Sequence, residues 1–318
     1  MTGDADVLEG IAAAVANNPS VAAKRSIGLI SEVLPPGNWL SGPGDDGAAV
    51  ALDGSTVIAC GEAIYPPFVT GDPYGAGIAA VLANVNDVAA MGGEPLAIVD
   101  TVIAPPDQAQ RILAGMRWAA DLYRVPIVGG HYTPSDGPAS LSAFAVGRAD
   151  AVLSVTRASE GQDLVVAVCV EGTMREDFPF FRSFDERGSY LAEDVRLLAR
   201  IAREGVAQAA KDISMAGLVG SLAMLLELGG FGVEVEIRKV PAPEGVPLGK
   251  WFNCFPCFGF LLTCEPSTTD DCVAAFHGRG LSAAKVGSLD SSGVIRLRDG
   301  DLVAPVLEVA GITGIARH

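Results

Sequence analysis

Apolar positions along the chain alternate between helix-spaced and strand-like stretches. Residues 5–34 set Leu8, Ile11, Ala14, Val15, Ile27 and Ile30 at helical intervals, interrupted near residues 17–20. Pro35-Pro36-Gly37 then breaks the pattern. Short apolar runs at 48–52 and 56–60 flank Asp53-Gly54, a hairpin signal. Residues 75–91 carry Ile78, Val81, Leu82, Val85 and Val88 on one face, which predicts an amphipathic helix. Strands are expected at 96–103, 125–128 and 141–146, with a helix over 107–123. The second half opens with a strand at 164–170 and a polar, Phe-containing loop at 175–187. Helices are expected over 190–210 and 215–228, the second stopped by Gly229-Gly230. Strand patterns follow at 233–237, 259–263 and 284–289, and Ser267-Thr268-Thr269-Asp270 opens a helix between the last two.

This interleaving predicts an α/β (α+β) chain of two domains, divided at residues 1–155 and 156–318, with a helical arm at the N-terminus. A length of 318 residues fits roughly two domains. The hydrophobic share of 49% excludes a disordered chain, and no repeat of solenoid length is visible. Lys+Arg 22 against Asp+Glu 38 gives a formal charge of -16, which argues against nucleic acid and anionic membrane as partners. The first residues lack a basic stretch followed by an apolar core, and the greasy run 251–264 is broken by Pro256 and Gly259. With six Cys and no export signal, free thiols and a cytoplasmic location are expected.

Carboxylates recur where elements begin or end. Asp45 and Asp46 follow a glycine turn into a strand, and alternation lets at most one face a given ligand. Glu62 ends an apolar strand, Asn86-Asp87 lies near the end of an apolar helix, and Asp212 stands at the mouth of another. Each has a plainer reading: Asp45, Asp46 and Asp212 as turn or cap residues, Asp87 as a buried acid with a partner. Carboxylates that met in space would need a cation, and all-oxygen ligation suits Mg²⁺ beside phosphates. Gly129-Gly130-His131 after a strand, and the segment 71–77 before a helix, could offer backbone N–H groups to an anion.

In order and spacing, residues 44–50, 57–62, 86–95, 129–133 and 212–218 resemble the AIR synthase-related (PurM-like) superfamily. It includes aminoimidazole ribonucleotide synthase, thiamine-monophosphate kinase, selenophosphate synthetase and a hydrogenase maturation dehydratase. The resemblance spans about residues 43–290 and implies a two-domain fold whose N-terminal strands join a dimeric β-barrel. It further implies ATP and Mg²⁺ as cofactors, and a homodimer acting on a small-molecule acceptor. Carried over, Asp45, Asp46, Glu62, Asp87 and Asp212 are the metal-facing acids. Lys24, Asp45, Asp46, Asn86, Asp87, Gly129, Gly130 and His131 are the nucleotide side, with His131 the candidate for proton transfer. The implied activity is ATP- and Mg²⁺-dependent phosphoryl transfer. The alternatives are a thiamine-monophosphate kinase-like or selenophosphate synthetase-like kinase, a non-catalytic nucleotide-binding accessory protein, or a purely structural dimer.

The departures point to a separate branch. Glu62 and His131 stand where family motifs carry Asp or another acid, the first Cys is Cys60, and the chain ends without a reactive Cys. Lys211 and Arg148 adjoin motif segments and are further phosphate candidates. Cys254 and Cys257, with Cys264 and Cys272 downstream, do not match a zinc knuckle and are expected to be core thiols. The Phe178–Phe184 stretch is expected either to pack in the core or to form a lid, and His277 to end a helix.

Overall fold

The structure is a computed structural model that describes residues 2–34, 42 and 44–315. The Pro35-Pro36-Gly37 break lies outside the described residues. In chain order the elements are α1 (Thr2–Ala16), α2 (Pro19–Lys24), α3 (Gly28–Val33), β1 (Ala48–Leu52), β2 (Ser55–Ala63), α4 (Pro66–Gly71), α5 (Pro73–Ala90), β3 (Glu94–Ala104), α6 (Pro106–Tyr123), β4 (Ile127–Pro134) and β5 (Ser140–Ala149). They continue with β6 (Asp163–Val168), β7 (Thr173–Met174), β8 (Phe180–Arg182), α7 (Phe184–Arg187), α8 (Leu191–Arg203), β9 (Ala209–Asp212), α9 (Gly217–Glu227), β10 (Gly232–Glu236), α10 (Leu248–Phe252), β11 (Phe255–Pro256), β12 (Gly259–Cys264), α11 (Thr269–His277), β13 (Ser282–Asp290), β14 (Val294–Asp299) and β15 (Leu302–Glu308).

These elements form two compact units. One comprises residues 46–152 and 187–200 and is built on a five-stranded sheet of order β1-β2-β5-β3-β4. All its neighbours are antiparallel except the β3–β4 pair. Helices α5 and α6 cover one face. They cross closely because Gly77 and Gly115 lack side chains: a Cβ on Gly77 would lie 2.1 Å from the Ile112 carbonyl oxygen, and one on Gly115 2.0 Å from that of Tyr74. Strand alternation puts Ile58, Ala143, Ala145, Ile98 and Val102 beneath those helices, each at most 1% exposed.

The second unit comprises residues 1–45, 153–186 and 201–318 around a seven-stranded sheet of order β15-β14-β10-β13-β6-β12-β9. Helix α9 is apolar on every side and wholly buried, as such a helix must be. In a three-stranded sheet of order β11-β8-β7, Phe180 packs against Phe255 in a tilted pair at 4.9 Å, and Phe181 meets Trp251 of α10 edge to face at 5.3 Å. The Phe178–Phe184 stretch therefore packs within this unit rather than forming a lid.

The observed division differs from the expected one at two places. The N-terminal arm belongs to the seven-stranded unit: Leu8, Ile11 and Val15 join its core, and the Asn18 amide donates to Asn253 Oδ1 at 2.9 Å. Residues 187–200 belong to the five-stranded unit, where the Arg196 guanidinium donates to the Tyr123 carbonyl at 3.0 Å. The helix expected over 190–210 ends at Arg203, because residues 209–212 pair with β12. Strands β14 and β15 fall where the apolar pattern predicts none.

Replacing Gly115 with Val is expected to wedge α6 from α5 and cost about 1–3 kcal/mol. Urea denaturation measures it, and a variant as stable as the wild type contradicts the close crossing.

Candidate metal centre

Helix α5 brings its polar residues to the sheet through well-defined ends. Asp72 caps it by accepting from the Gly75 N–H at 2.9 Å, with Pro73 in the first turn. At the other end Gly92, at φ 72°, closes the helix: Gly92 N–H reaches the Ala89 carbonyl and Gly93 N–H the Val88 carbonyl. That pair of bonds is a Schellman stop, and it fixes the last turn, where Asn86 (2% exposed) and Asp87 (5%) are buried. One turn earlier the buried Asn84 amide donates to the Ala80 carbonyl at 2.8 Å and, across to β5, to the Ala143 carbonyl at 3.2 Å. Cys60 of β2 donates to Asn84 Oδ1 at 3.5 Å. Helix and sheet are thus pinned by hydrogen bonds beside the carboxylates.

Asp46 opens the five-stranded unit just before β1, and a carboxylate oxygen of Asp46 lies within 4.8 Å of one of Asp87. Glu62 is exposed on β2, on the same sheet face as Cys60 two residues earlier. Burial, then the charges of Asp87, Glu62 and Asp46, push the Cys60 thiol far above its ordinary range. With no cation beside it, Cys60 is thereby held as a neutral thiol. What surrounds it is hard: carboxylate oxygens, two of them paired closely enough to repel unless a cation or a proton intervenes.

The adjacent Asp45 does something else. Its Oδ1 accepts from the Val155 N–H at 2.7 Å, and its Oδ2 accepts from Ser154 Oγ at 2.6 Å and the Gly42 N–H at 2.8 Å. Asp45 is a staple within the seven-stranded unit, so the expectation of a ligand role falls to Asp46 alone. In that unit the Lys211 ammonium, 4% exposed, donates to the Gly44 carbonyl at 3.1 Å. The strand carrying Asp212 therefore runs beside the turn that leads into Asp45. Asp212 (7% exposed) ends β9 and does not cap α9, whose start carries no side-chain cap. Lys24, half-buried at the end of α2, belongs to the same unit.

Gly129, Gly130 and His131 are not in a turn after a strand; they are inside β4, an exposed edge strand paired in parallel with β3. Register sets the faces. Gly130 pairs with Asp100, on the helix-covered side, whereas His131 pairs with Thr101, between Val99 and Ile103 on the open side. Within one chain His131 does not join Asp46 and Asp87. Arg148 is likewise exposed and does not join them. Cys254, Cys257, Cys264 and Cys272 are buried free thiols, and burial pushes Cys254 up to about 12. His277 ends α11 with Nε2 3.0 Å from the Ala283 carbonyl oxygen.

Sequence patterns do not single out Asp100 (8% exposed), an acid in the apolar run of β3. It leans across Gly130, where a Cβ would lie 2.5 Å from its Oδ2. A lone acid in such a run is the signal that could have found it.

The sequence matches the AIR synthase related protein N-terminal domain over residues 44–149 and the C-terminal domain over residues 180–300. The chain belongs to the AIR synthase-related family. An uncharacterized Synechocystis relative, sll0787, is 33% identical over 262 residues, covering 81% of each chain. Among solved structures, T. maritima PurL complexed with ATP superposes with a TM-score of 0.72 at 18% identity, covering 86% of this chain and 47% of PurL. This AIR synthase-related chain thus spans about half of that larger protein. AaThiL complexed with AMPPCP and TMP superposes with a TM-score of 0.66 at 19% identity, covering 87% of this chain and 94% of its own. Both likenesses establish the two-domain α/β fold. No helix among the described residues is long and apolar enough to cross a membrane.

Burial raises the Asp100 carboxyl above its ordinary value. A raised folded-state value means that the native state holds this proton more tightly than the unfolded chain. Its stabilising contribution is present at low pH and is lost as pH rises through the folded value. Asp100→Asn is therefore expected to raise Tm near neutral pH, by a margin that shrinks toward about pH 4, the ordinary aspartate range. Thermal melts across pH test this, and a lower Tm at neutral pH contradicts it.

Proposed function

We propose that this protein is an ATP- and Mg²⁺-dependent phosphoryl-transfer enzyme acting on a small acceptor. The observation that carries the proposal is the Asp46–Asp87 pair, a half-buried and a buried carboxylate that converge within one unit. Their chemistry fits Mg²⁺, which favours a few carboxylates plus phosphate oxygens. Asp46 and Asp87 are assigned as ligands, and Asp212 is kept as a further candidate by the family motif that it carries. Glu62 is assigned to the outer edge of the same acidic group. The cation supplies charge neutralisation for the phosphates when bound. The protein supplies position: the Gly92 stop and the Asn84 bridge hold α5 still, so the acids do not reorganise as charge moves.

Similarity to PurL complexed with ATP and to AaThiL complexed with AMPPCP supports a nucleotide triphosphate as donor. Phosphoryl transfer suits such a site, because positioning and charge do most of its catalysis.

We also propose a homodimer. The uncovered face of the five-stranded sheet exposes Val50 (55%), Leu52 (62%), Val99 (39%), Ile103 (39%), Phe144 (46%) and Val146 (43%). So much contiguous apolar surface is uncommon on a monomer, and a second copy of the same sheet is a matching cover. His131 and Gly129 lie on that face and would adjoin the interface.

Two experiments separate these statements. ATP with Mg²⁺ at millimolar levels is expected to raise Tm by several degrees through linkage, EDTA to remove the effect, and Asp87→Asn to abolish it while the fold persists. No shift in the wild type refutes nucleotide binding, and a shift without ADP release on any acceptor leaves a binder rather than an enzyme. Val146→Asp is expected to convert a dimer to a monomer in sedimentation, and a wild type that sediments as a monomer refutes the interface.

A further inference from the structure

Asp100 is nine-tenths buried, and burial raises its carboxyl above the ordinary value. No hydrogen bond or ion pair of its side chain is found among the described residues. Three other buried acids are satisfied by neighbouring side chains. Asp163 takes Thr269, Ser288 and Lys285; Asp194 takes Arg187; Glu227 takes the Thr313 hydroxyl and N–H. A desolvated carboxylate without such partners is costly, and Asp100 carries that cost where those three do not.

Its surroundings are cleared rather than filled. One row across the sheet reads Glu62, Ala143, Asp100, Gly130, each paired with the next and all facing the same side. Ala143 and Gly130, to either side of Asp100, are the two smallest residue types. Gly130 matters most, because the carboxyl occupies the space a side chain there would fill. Beyond it lies β4, exposed over residues 128–134, so the acid is reached from the edge of the sheet. Glu62 lies two strand spacings away, roughly 10 Å.

We propose that Asp100 recognises the acceptor, and that the acceptor presents to it a monovalent cationic N–H donor, an ammonium, amidinium or guanidinium group. This deepens the phosphoryl-transfer reading and rests on it for the identity of the ligand as acceptor. A second divalent ion does not fit, because Ala143 and Gly130 offer no further side-chain ligand. An anion is repelled by Asp100, Glu62 and the Asp46–Asp87 pair together. A neutral donor would satisfy the lone pairs and leave the charge uncompensated, whereas a cationic donor does both.

Backbone amide NMR of the full chain tests this with methylguanidinium, acetamidinium and butylammonium against methylurea, acetamide and butanol. At least one cation is expected to shift amides of residues 98–102 and 129–132 saturably, about tenfold or more tighter than its neutral counterpart. Asp100→Asn is expected to erase that preference while leaving the ATP–Mg²⁺ thermal shift unchanged. Gly130→Ala, which displaces the carboxyl with the acid retained, should weaken it as well. Equal response to cations and neutral molecules, no response to any cation, or an undiminished preference in Asp100→Asn overturns the assignment. A wild type that prefers cations but gives no ATP–Mg²⁺ shift leaves Asp100 standing and removes the nucleotide reading alone.

Discussion

A negative charge at the buried end of an apolar helix is the constraint around which the five-stranded unit is arranged. Asp87 sits in the last turn of α5, where a helix C-terminus already carries partial negative charge. Asp46 faces it, and neither position is one that stability alone would choose. The nearby architecture keeps that arrangement rigid. Gly92 ends the helix, Asn84 ties it to β5, and Gly77 and Gly115 lock it against α6. In the other unit, Asp45 is held by Ser154, Val155 and Gly42.

The two faces of the five-stranded sheet then divide the work. One face, under α5 and α6, carries Cys60, Glu62 and Asp100. The other is apolar and uncovered, with Phe144 and Val146 at its centre and His131 at its edge. A residue that shifted by one position in β4 would exchange these environments, so register decides whether Gly130 or His131 meets the acids. That register gives Asp100 its cleared neighbour and removes His131 from the acids of its own chain.

Much of this is legible in the sequence. The spacing of Ile78, Val81, Leu82, Val85 and Val88 marks α5, the Met-Gly-Gly after it marks its end, and Asp53-Gly54 marks the β1–β2 hairpin. The family likeness holds across both halves of the chain. Other features depend on contacts between distant residues. The role of Asp45 depends on Ser154, more than a hundred residues away. The strand nature of residues 209–212 comes from pairing with β12 rather than from their own pattern, which continues the helical one. The diglycine looks like a turn because glycine usually marks one, yet it is strand because it pairs with β3, where Gly130 leaves room for Asp100. Helix α1 reads as an arm of the first domain but packs on the other unit, since apolar periodicity gives a helix its sticky face and not its partner.

Manganese binding followed by electron paramagnetic resonance tests the central claim most directly, because Mn²⁺ substitutes for Mg²⁺ at oxygen sites and reports its own ligands. Wild-type protein is expected to bind Mn²⁺ saturably in the presence of AMPPCP, and Asp87→Asn to lose that site at the same protein concentration. Binding that is absent in the wild type, or unchanged by the substitution, contradicts the account.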